Sequence, residues 1–447
     1  MMKKMLNAII FFNLFLFFNT AVFSQTINLE QARTIGLANS RSLARYEMAI
    51  RTSLLEEKNQ FFSMLPQVSA GYNASMNFIK NWNFVNPIDT FSAGANLSIT
   101  QIIFQGGKSF IQKAISNIST ESVRIEARSE FFNVLDSIDN AYYAVLEAEA
   151  TLEAETSSLQ AAVLGLSIAE VRQMSGMINQ GDYLKALADK EARDNSHNQA
   201  RRNLTMNMNR FKTLLGITGN VELLHISFEE YEEVIQHLSS ISDEDSGALY
   251  EEFWKILAAD NPSLARAVMN NKRAELNYTL SRRDYAPTIS ATIFGTGLGF
   301  TTEKGFSSTA ESGISIRGSI PVDFWVMNNR IERSKISLDS AAIDFQNAES
   351  SLEQELQNAL FNLFSQAGSV ISSRRSLEYT ERHFNYVMER YRLGQSSVSD
   401  LNEATTLFIN SRNSSTRASF SFLQSLSKLR SMCAMDDEEK LLSILVK

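Results

Sequence analysis

The chain has 447 residues, 42 basic and 50 acidic side chains, a net charge of −8, and only 5 prolines, 19 glycines and one cysteine. The acidic balance disfavours a nucleic-acid partner, and a lone Cys433 excludes a disulfide within the chain even in an oxidising compartment. So few helix breakers point to very long helices with few turns rather than to several ordinary globular domains.

Lys3 and Lys4 precede an apolar run from Leu6 to Phe18 and a small-residue stretch ending at Ser24. That order reads as a signal peptide over 1–24, since the apolar run is short for a membrane-spanning anchor. No cysteine follows the cut, so the chain is expected not to be lipidated. Past residue 24 no long apolar run remains, and membrane insertion would have to use strands.

From there the elements come twice. The first repeat, 25–218, reads as a helix over 28–64, a β-hairpin over 67–103, a very long helix over 107–174, a tight break and a helix over 182–215. The second, 247–433, reads as a helix over 249–284, a hairpin over 288–321, a long helix over 327–392 and a helix over 400–432. Ser42-Leu43-Ala44-Arg45 recurs as Ser263-Leu264-Ala265-Arg266, and Pro66 recurs as Pro287, both at an offset of 221. Gly176 and Asp182 recur as Gly394 and Asp400 at an offset of 218. Four matches in one order at nearly constant spacing mark a duplicated unit. Between the repeats, 219–246 carries Glu229, Glu230, Glu232, Glu233, Asp243, Glu244 and Asp245. Leu223, Leu224, Ile226, Phe228, Val234 and Ile235 give it enough apolar surface to pack as a small appended region. Residues 434–447 read as a C-terminal tail, with Cys433 a small core residue of the last helix.

The strands alternate with a period of two. Val68, Ala70, Tyr72, Ala74, Met76 and Phe78 face one way, and Gln67, Ser69, Gly71, Asn73, Ser75 and Asn77 the other. Ala93, Ala95, Leu97 and Ile99, then Ile289, Ala291 and Ile293, then Ile314, Ile316 and Ile320, repeat the pattern. A half-buried soluble sheet would alternate too. Strands of about ten residues after a signal peptide, with no third layer to cover them, favour a bilayer-spanning barrel. Phe78, Trp82, Phe84, Phe91, Phe294, Phe300 and Phe306 are then candidates for the membrane interfaces. Ile99 and Ile316 are expected to face lipid, and Ser98 and Ser315 the lumen. Four strands cannot close a barrel, so the subunit must oligomerise. A helix from Gly107 to Met174 would be about 100 Å long and needs partners along its length. The two shorter helices of the same repeat, stacked end to end, supply them as an antiparallel coiled coil.

Chemistry-bearing motifs are missing. His197, His225, His237 and His383 have no metal-ligand spacing, and there is no Walker loop or nucleophile elbow. Asp182, Asp400 and Glu403, near helix starts, read as caps rather than an acid–base set. No catalysis, metal or cofactor is expected.

The local patterns resemble the TolC-like outer-membrane efflux family across the mature chain. Ile27-Asn28-Leu29-Glu30-Gln31-Ala32 is similar to the family's opening. The junction Ile103-Phe104-Gln105-Gly106-Gly107 resembles its Pro-Leu-Phe-Asp-Gly-Gly, with Ile102 where proline is usual, and Pro321 and Asn329 serve the second repeat. Arg390-Tyr391-Arg392-Leu393-Gly394 followed by Ser399-Asp400-Leu401 and Ala404 resembles the Arg-Tyr-x-x-Gly tip and its Asp-Leu-Leu-x-Ala sequel. The strand–helix junctions are therefore Pro66, Gly106, Gly107, Pro287 and Pro321, and the tip residues Gly176, Asp182, Tyr391, Gly394, Ser396, Asp400 and Glu403.

The resemblance implies a mainly α fold with β-hairpins. Its tandem-repeat subunits form a homotrimer with a twelve-stranded transmembrane barrel, continued by a long antiparallel coiled-coil barrel in the periplasm, with 219–246 near its equator. It implies export from the periplasm or from an inner-membrane transporter of RND or ABC type, through a periplasmic adaptor (membrane fusion) protein, in efflux or type I secretion, with outer-membrane lipid around the strands. Asp182 and Tyr391 match positions that link neighbouring coiled coils in a closed entrance, and Asp400 and Glu403 match carboxylates that line it. An arginine that helps hold the family's entrance closed is replaced by Ser396, and Arg430-Ser431-Met432-Cys433-Ala434 departs from the usual Leu-Tyr-x-x-Leu-Gly ending. A trimeric surface adhesin would also bring four strands per subunit, but it would group them at the C-terminus. A periplasmic coiled-coil scaffold would carry no membrane strands.

Overall fold

The computed structural model describes residues 25–77, 90–301, 305–307 and 311–446. The expected signal peptide 1–24 and Phe78, Trp82 and Phe84 lie outside them, as do the side chains of Met76, Phe91, Phe300 and Phe306. The chain divides into two compact units that cut across both repeats: a strand unit of 41–131 and 253–356, and a helical unit of the remainder. Among the described residues no helix is long and apolar enough to cross a membrane.

The strand unit takes the helix α2 (Arg41–Phe62), strands β2 (Gln67–Asn77), β3 (Thr90–Phe104), β5 (Thr288–Thr301), β6 (Gly305–Ser307) and β7 (Glu311–Ser319), and the helix α7 (Pro262–Arg282). Both hairpins join one antiparallel sheet, because β3 pairs with β5 between them. The register aligns the alternation from strand to strand. Val68, Ile99, Ile293 and Ile314 form one apolar row, and Gln67, Thr100, Thr292 and Ser315 the adjoining polar row. Ser69 and Ser98 share a hydrogen bond of 2.7 Å, and Thr100 and Thr292 one of 3.1 Å, so the polar face is stitched across strands. The apolar face is bare, with Tyr72 92% exposed and Ile314 and Ile316 both 73%. Phe294 departs from the expected interfacial set: it stands in the row Ser69–Ser98–Phe294–Gly313, on the polar face.

Where one helix is expected over 28–64 there are two, α1 (Leu29–Asn39) and α2, broken at Ser40, whose ψ of 115° is extended. The 249–284 run likewise splits into α6 (Asp243–Asp260) and α7. Asn261 caps α7 by accepting from Ser263 and Leu264, and Pro262 occupies its first turn, where a missing N–H costs nothing. Pro66 and Pro287 stand immediately before β2 and β5, and Pro321 between β7 and the next helix. Gly106 and Gly107 turn β3 into a helix at φ of +65° and +77°. A Cβ on Gly106 would lie 2.3 Å from Ala286 Cβ, so backbone conformation and close packing both demand glycine there. Asp284 binds Lys108 at 2.8 Å and Arg330 at 2.7 Å, tying the two strand-to-helix junctions together. Burial pushes its carboxyl up, but those two cations outweigh it and hold it below the usual range.

Two helices dominate the chain, α3 (Lys108–Met174) and α8 (Phe324–Arg392), each containing a single glycine and no proline. The helical unit adds α1, α4 (Gln180–Leu215), α5 (Glu232–Ser239), α9 (Val398–Met432) and α10 (Glu438–Leu445). Residues 219–246 hold a strand, β4 (Val221–Leu223), a 3-10 turn, α5 and the start of α6; β4 pairs in parallel with β1 (Gln25–Ile27). Leu223, Val234 and Ile235 are buried as expected of a packed region, whereas Leu224 is exposed. The segment expected as a tail carries α10, whose Leu441, Ile444 and Leu445 are buried. Cys433 is buried beside it, and burial pushes its thiol up to about 12.

Beneath α10 lies a closed ring of four charges. Asp139, with no exposed surface, takes a bidentate pair from Arg33 at 2.6 and 3.0 Å and a third bond from Arg430, itself 2% exposed. Glu438 closes the ring, accepting from Arg33 at 2.9 Å and Arg430 at 3.1 Å. Ser427 and Tyr231 donate to Asp139 and Glu438 at 2.9 and 2.8 Å. Burial pushes the Glu438 carboxyl up, but Arg33 and Arg430 outweigh it and hold it below the usual range. Two cations and two anions cancel, so the desolvation of each charge is offset by two partners.

Candidate functional site at the helical tips

Two helix reversals in the helical unit share one construction. At the end of α3, Met177 N–H bonds Arg172 C=O at 2.8 Å and Gly176 N–H bonds Gln173 C=O at 3.0 Å. At the end of α8, Gln395 bonds Arg390 at 2.8 Å and Gly394 bonds Tyr391 at 3.1 Å. These are Schellman caps, and Gly176 and Gly394 supply the left-handed residue at φ of +74° and +81°. The capping residues of the next helices stand three residues after each glycine. Asn179 accepts from Asp182 N–H at 2.9 Å to cap α4. Ser397 and Asp400 form a reciprocal capping box on α9, at 3.1 and 2.9 Å. The Ser397 backbone N–H first, and its hydroxyl second, hold the exposed Asp400 carboxyl below its usual range.

Between the reversals the two repeats meet in a small apolar core of Ala169, Ala186, Val387, Tyr391, Val398, Leu401 and Ala404. Tyr391 is its largest member and is 1% exposed. Its hydroxyl donates to Gly165 C=O on α3 at 3.1 Å. Arg172, also on α3, donates to the Tyr391 carbonyl and places its guanidinium 4.7 Å from the ring centroid. Burial raises the Tyr391 hydroxyl, Arg172 opposes that, and Asp182 adds to it. Asp182 itself pairs with Lys185 at 3.6 Å. The expected residues thus fall into two groups: Tyr391 is gripped from the first repeat, while Glu403 and Asp400 are exposed and Ser396 half-buried beside the cap. Arg172, Gly165, Asn179 and Ser397 complete the site and were not anticipated. The signal was present, because the 218-residue offset maps Arg172 onto Arg390 and Asn179 onto Ser397.

A duplicated strand–helix–helix unit, with a two-faced sheet in one compact unit and glycine-capped reversals in the other, defines a class of channel-forming subunits. A family model described as outer membrane efflux protein matches residues 35–217 and 255–434. Outer membrane protein TolC of Escherichia coli (strain K12) is 22% identical over 427 residues, covering 90% of this chain and 81% of its own. The Campylobacter jejuni CmeC outer membrane channel superposes with a TM-score of 0.74 at 15% identity, over 97% of this chain and 94% of its own. A membrane protein from Pseudomonas aeruginosa gives 0.75 at 15% identity, over 94% and 92%. The chain belongs to the outer membrane efflux protein family. It is a channel-tunnel subunit of the outer membrane with a large periplasmic portion, and the adhesin and scaffold alternatives fall with that membership.

Proposed function

We propose that three copies of this chain close a twelve-stranded barrel and work as the exit duct of a tripartite pump. One observation carries the stoichiometry. The sheet of a single chain has four main strands, and β2 and β7 each pair on one side only among the described residues. The bare apolar face is untenable in water and the two open edges are untenable in lipid; copies joined edge to edge pair the edges, and the bilayer covers the face. Three copies give twelve strands, enough for a water-filled bore. Cargo enters from an inner-membrane transporter of RND or ABC type through a periplasmic adaptor.

The reversals at Gly176 and Gly394 form the closable entrance of that duct. Tyr391 joins the two reversals within each subunit, with Arg172 supplying a guanidinium that Ser396 does not. Asp182 lies within electrostatic reach of Tyr391, and the exposed carboxylates of Asp400 and Glu403 present acidic rings to the entrance, which attract cations. Native mass spectrometry of the detergent-purified chain tests the assembly: a trimer is expected, and a stable monomer or dimer overturns it.

A further inference from the structure

The polar face of the sheet is lined mainly by small hydroxyl and amide side chains and glycines, with Ile102 and Arg317 in the row of Ser290, two rows from Phe294. Phe294 is the only aromatic among the described residues of that face, in register with Ser98 on one side and Gly313 on the other. Its ring lies across β7: a Cβ built on Gly313 would come within 2.9 Å of Phe294 Cζ. The ring therefore covers a glycine, a structural service, yet Phe294 stays only half-buried and keeps part of its surface open. The next row along the same face pairs Thr296 with Glu311. Thr296 Oγ1 donates to the Glu311 carbonyl at 3.2 Å and accepts from its N–H at 3.3 Å, which holds the backbone of that residue in place. Rows on one face of a strand are about 7 Å apart, so an exposed carboxylate stands one row from an open aromatic ring.

We propose that Phe294 and Glu311 form a contact site for lipophilic organic cations on the bore-facing side of the sheet. An aromatic face binds a flat apolar body or a diffuse positive charge, and a carboxylate one row away selects the cationic sign. A passing cation that lacks an apolar body meets only Glu311, and a neutral apolar molecule meets only Phe294. Three copies at one height would repeat the pair around the bore. The proposal rests on the reading that this face lines the bore, and the test keeps the two apart.

Channels reconstituted in planar bilayers are exposed to tetraphenylphosphonium or to magnesium, a hydrated cation with no apolar body, and block of the ionic current is titrated. Phe294→Ser is expected to weaken tetraphenylphosphonium block about fivefold and to leave magnesium block unaffected. Glu311→Gln is expected to weaken both by a similar, smaller factor. Phe294→Leu keeps a side chain over Gly313, so it reports the same loss of aromatic contact if the serine variant fails to assemble. Unchanged tetraphenylphosphonium block in either Phe294 variant overturns the site. Ser98→Cys and Ile99→Cys, treated with a charged thiosulfonate, test the face. Current altered by modification at Ser98 alone supports the bore reading, and alteration at Ile99 alone overturns that reading instead.

Discussion

The tips and the charge ring belong to the same helical unit but are held together in opposite ways. Each tip is assembled from neighbours in sequence, a Schellman cap and an N-terminal cap within about two turns of chain, and much of its surface is exposed. Tyr391 ties one tip to the other through Arg172 and Gly165, 219 and 226 positions away, and through the small apolar core around it. The ring joins residues 106, 291 and 405 positions apart, buries Asp139 and Arg430, and leaves only parts of Arg33 and Glu438 in water. Local caps can open one at a time at low cost, whereas a buried ring of charges must be kept whole or lost whole. The helical unit therefore has a rigid part where α1, α3, α9 and α10 converge on Asp139, and a part that can rearrange where the reversals lie.

The largest expected effect comes from breaking the ring. Glu438→Gln removes one of two anions and leaves Arg33 and Arg430 sharing Asp139, a net buried positive charge. Removing one partner of such a network costs about 3–5 kcal/mol, read as a lower thermal midpoint of the helical circular dichroism signal. The pH dependence follows from the depressed Glu438 carboxyl. Its contribution is present in full above the ordinary glutamate value and is lost as pH falls through the lower folded value. The gap between native protein and variant should thus be wide at neutral pH and narrow in acid. A gap independent of pH would mean that Glu438 acts through packing alone.

Loosening the tip should cost less and change function more. Arg172→Gln removes a charged donor from the Tyr391 carbonyl and a cation from its ring, for about 1–2 kcal/mol. Because the core around Tyr391 and its bond to Gly165 persist, the fold should survive. If Arg172 fastens the entrance, the resting conductance of reconstituted channels rises. Resting conductance equal to that of the native channel, with a lowered midpoint, would reduce Arg172 to a structural role.

That same contrast explains what could be read beforehand. The tip glycines, Asp400 of the capping box, the junction prolines and the strand alternation are short-range patterns, each with a local physical cause, and all were legible. Asp182 is not the cap read for it, because Asn179 caps α4 and Asp182 pairs with Lys185. Pro262 also announced the break between α6 and α7, though the uninterrupted apolar periodicity around it hid the signal. Ser40 gave no comparable warning, since nothing in its neighbours requires an extended ψ. Phe294 was misplaced because composition suggested a girdle, while parity along β5 already set it beside Thr292 and Ser290. The ring was illegible: Arg33, Asp139, Arg430 and Glu438 each look like one more solvated charge on a helix, and only the fold brings them together.

The smallest effect concerns the second end of each repeat, where the symmetry is imperfect. Ile217 bonds Lys212 and Gly216 bonds Thr213 at the end of α4; Met435 bonds Arg430 and Ala434 bonds Ser431 at the end of α9. The caps are alike and again 218 residues apart, but Ala434 holds φ of +50°, the only non-glycine at positive φ among the described residues. An alanine there is strained by about 1 kcal/mol. Ala434→Gly would relieve that strain, but it would remove a buried methyl worth about 0.8 kcal/mol and add about 0.5 kcal/mol of chain entropy to the unfolded state. The three terms nearly cancel, so a loss of only about 0.3 kcal/mol is expected. At Gly216 the terms cancel only in part. A new methyl would sit 3.4 Å from Asn39 Cβ, already in ordinary contact, and the left-handed strain enters undiminished. Gly216→Ala should lower stability by about 0.5 kcal/mol, the strain of about 1 kcal/mol less about 0.5 kcal/mol of unfolded-state entropy that the alanine removes, somewhat more than the reciprocal change. Equal losses at the two positions, measured as denaturation midpoints under one set of conditions, would show that the methyl of Ala434, rather than its backbone angle, decides which residue the cap accepts.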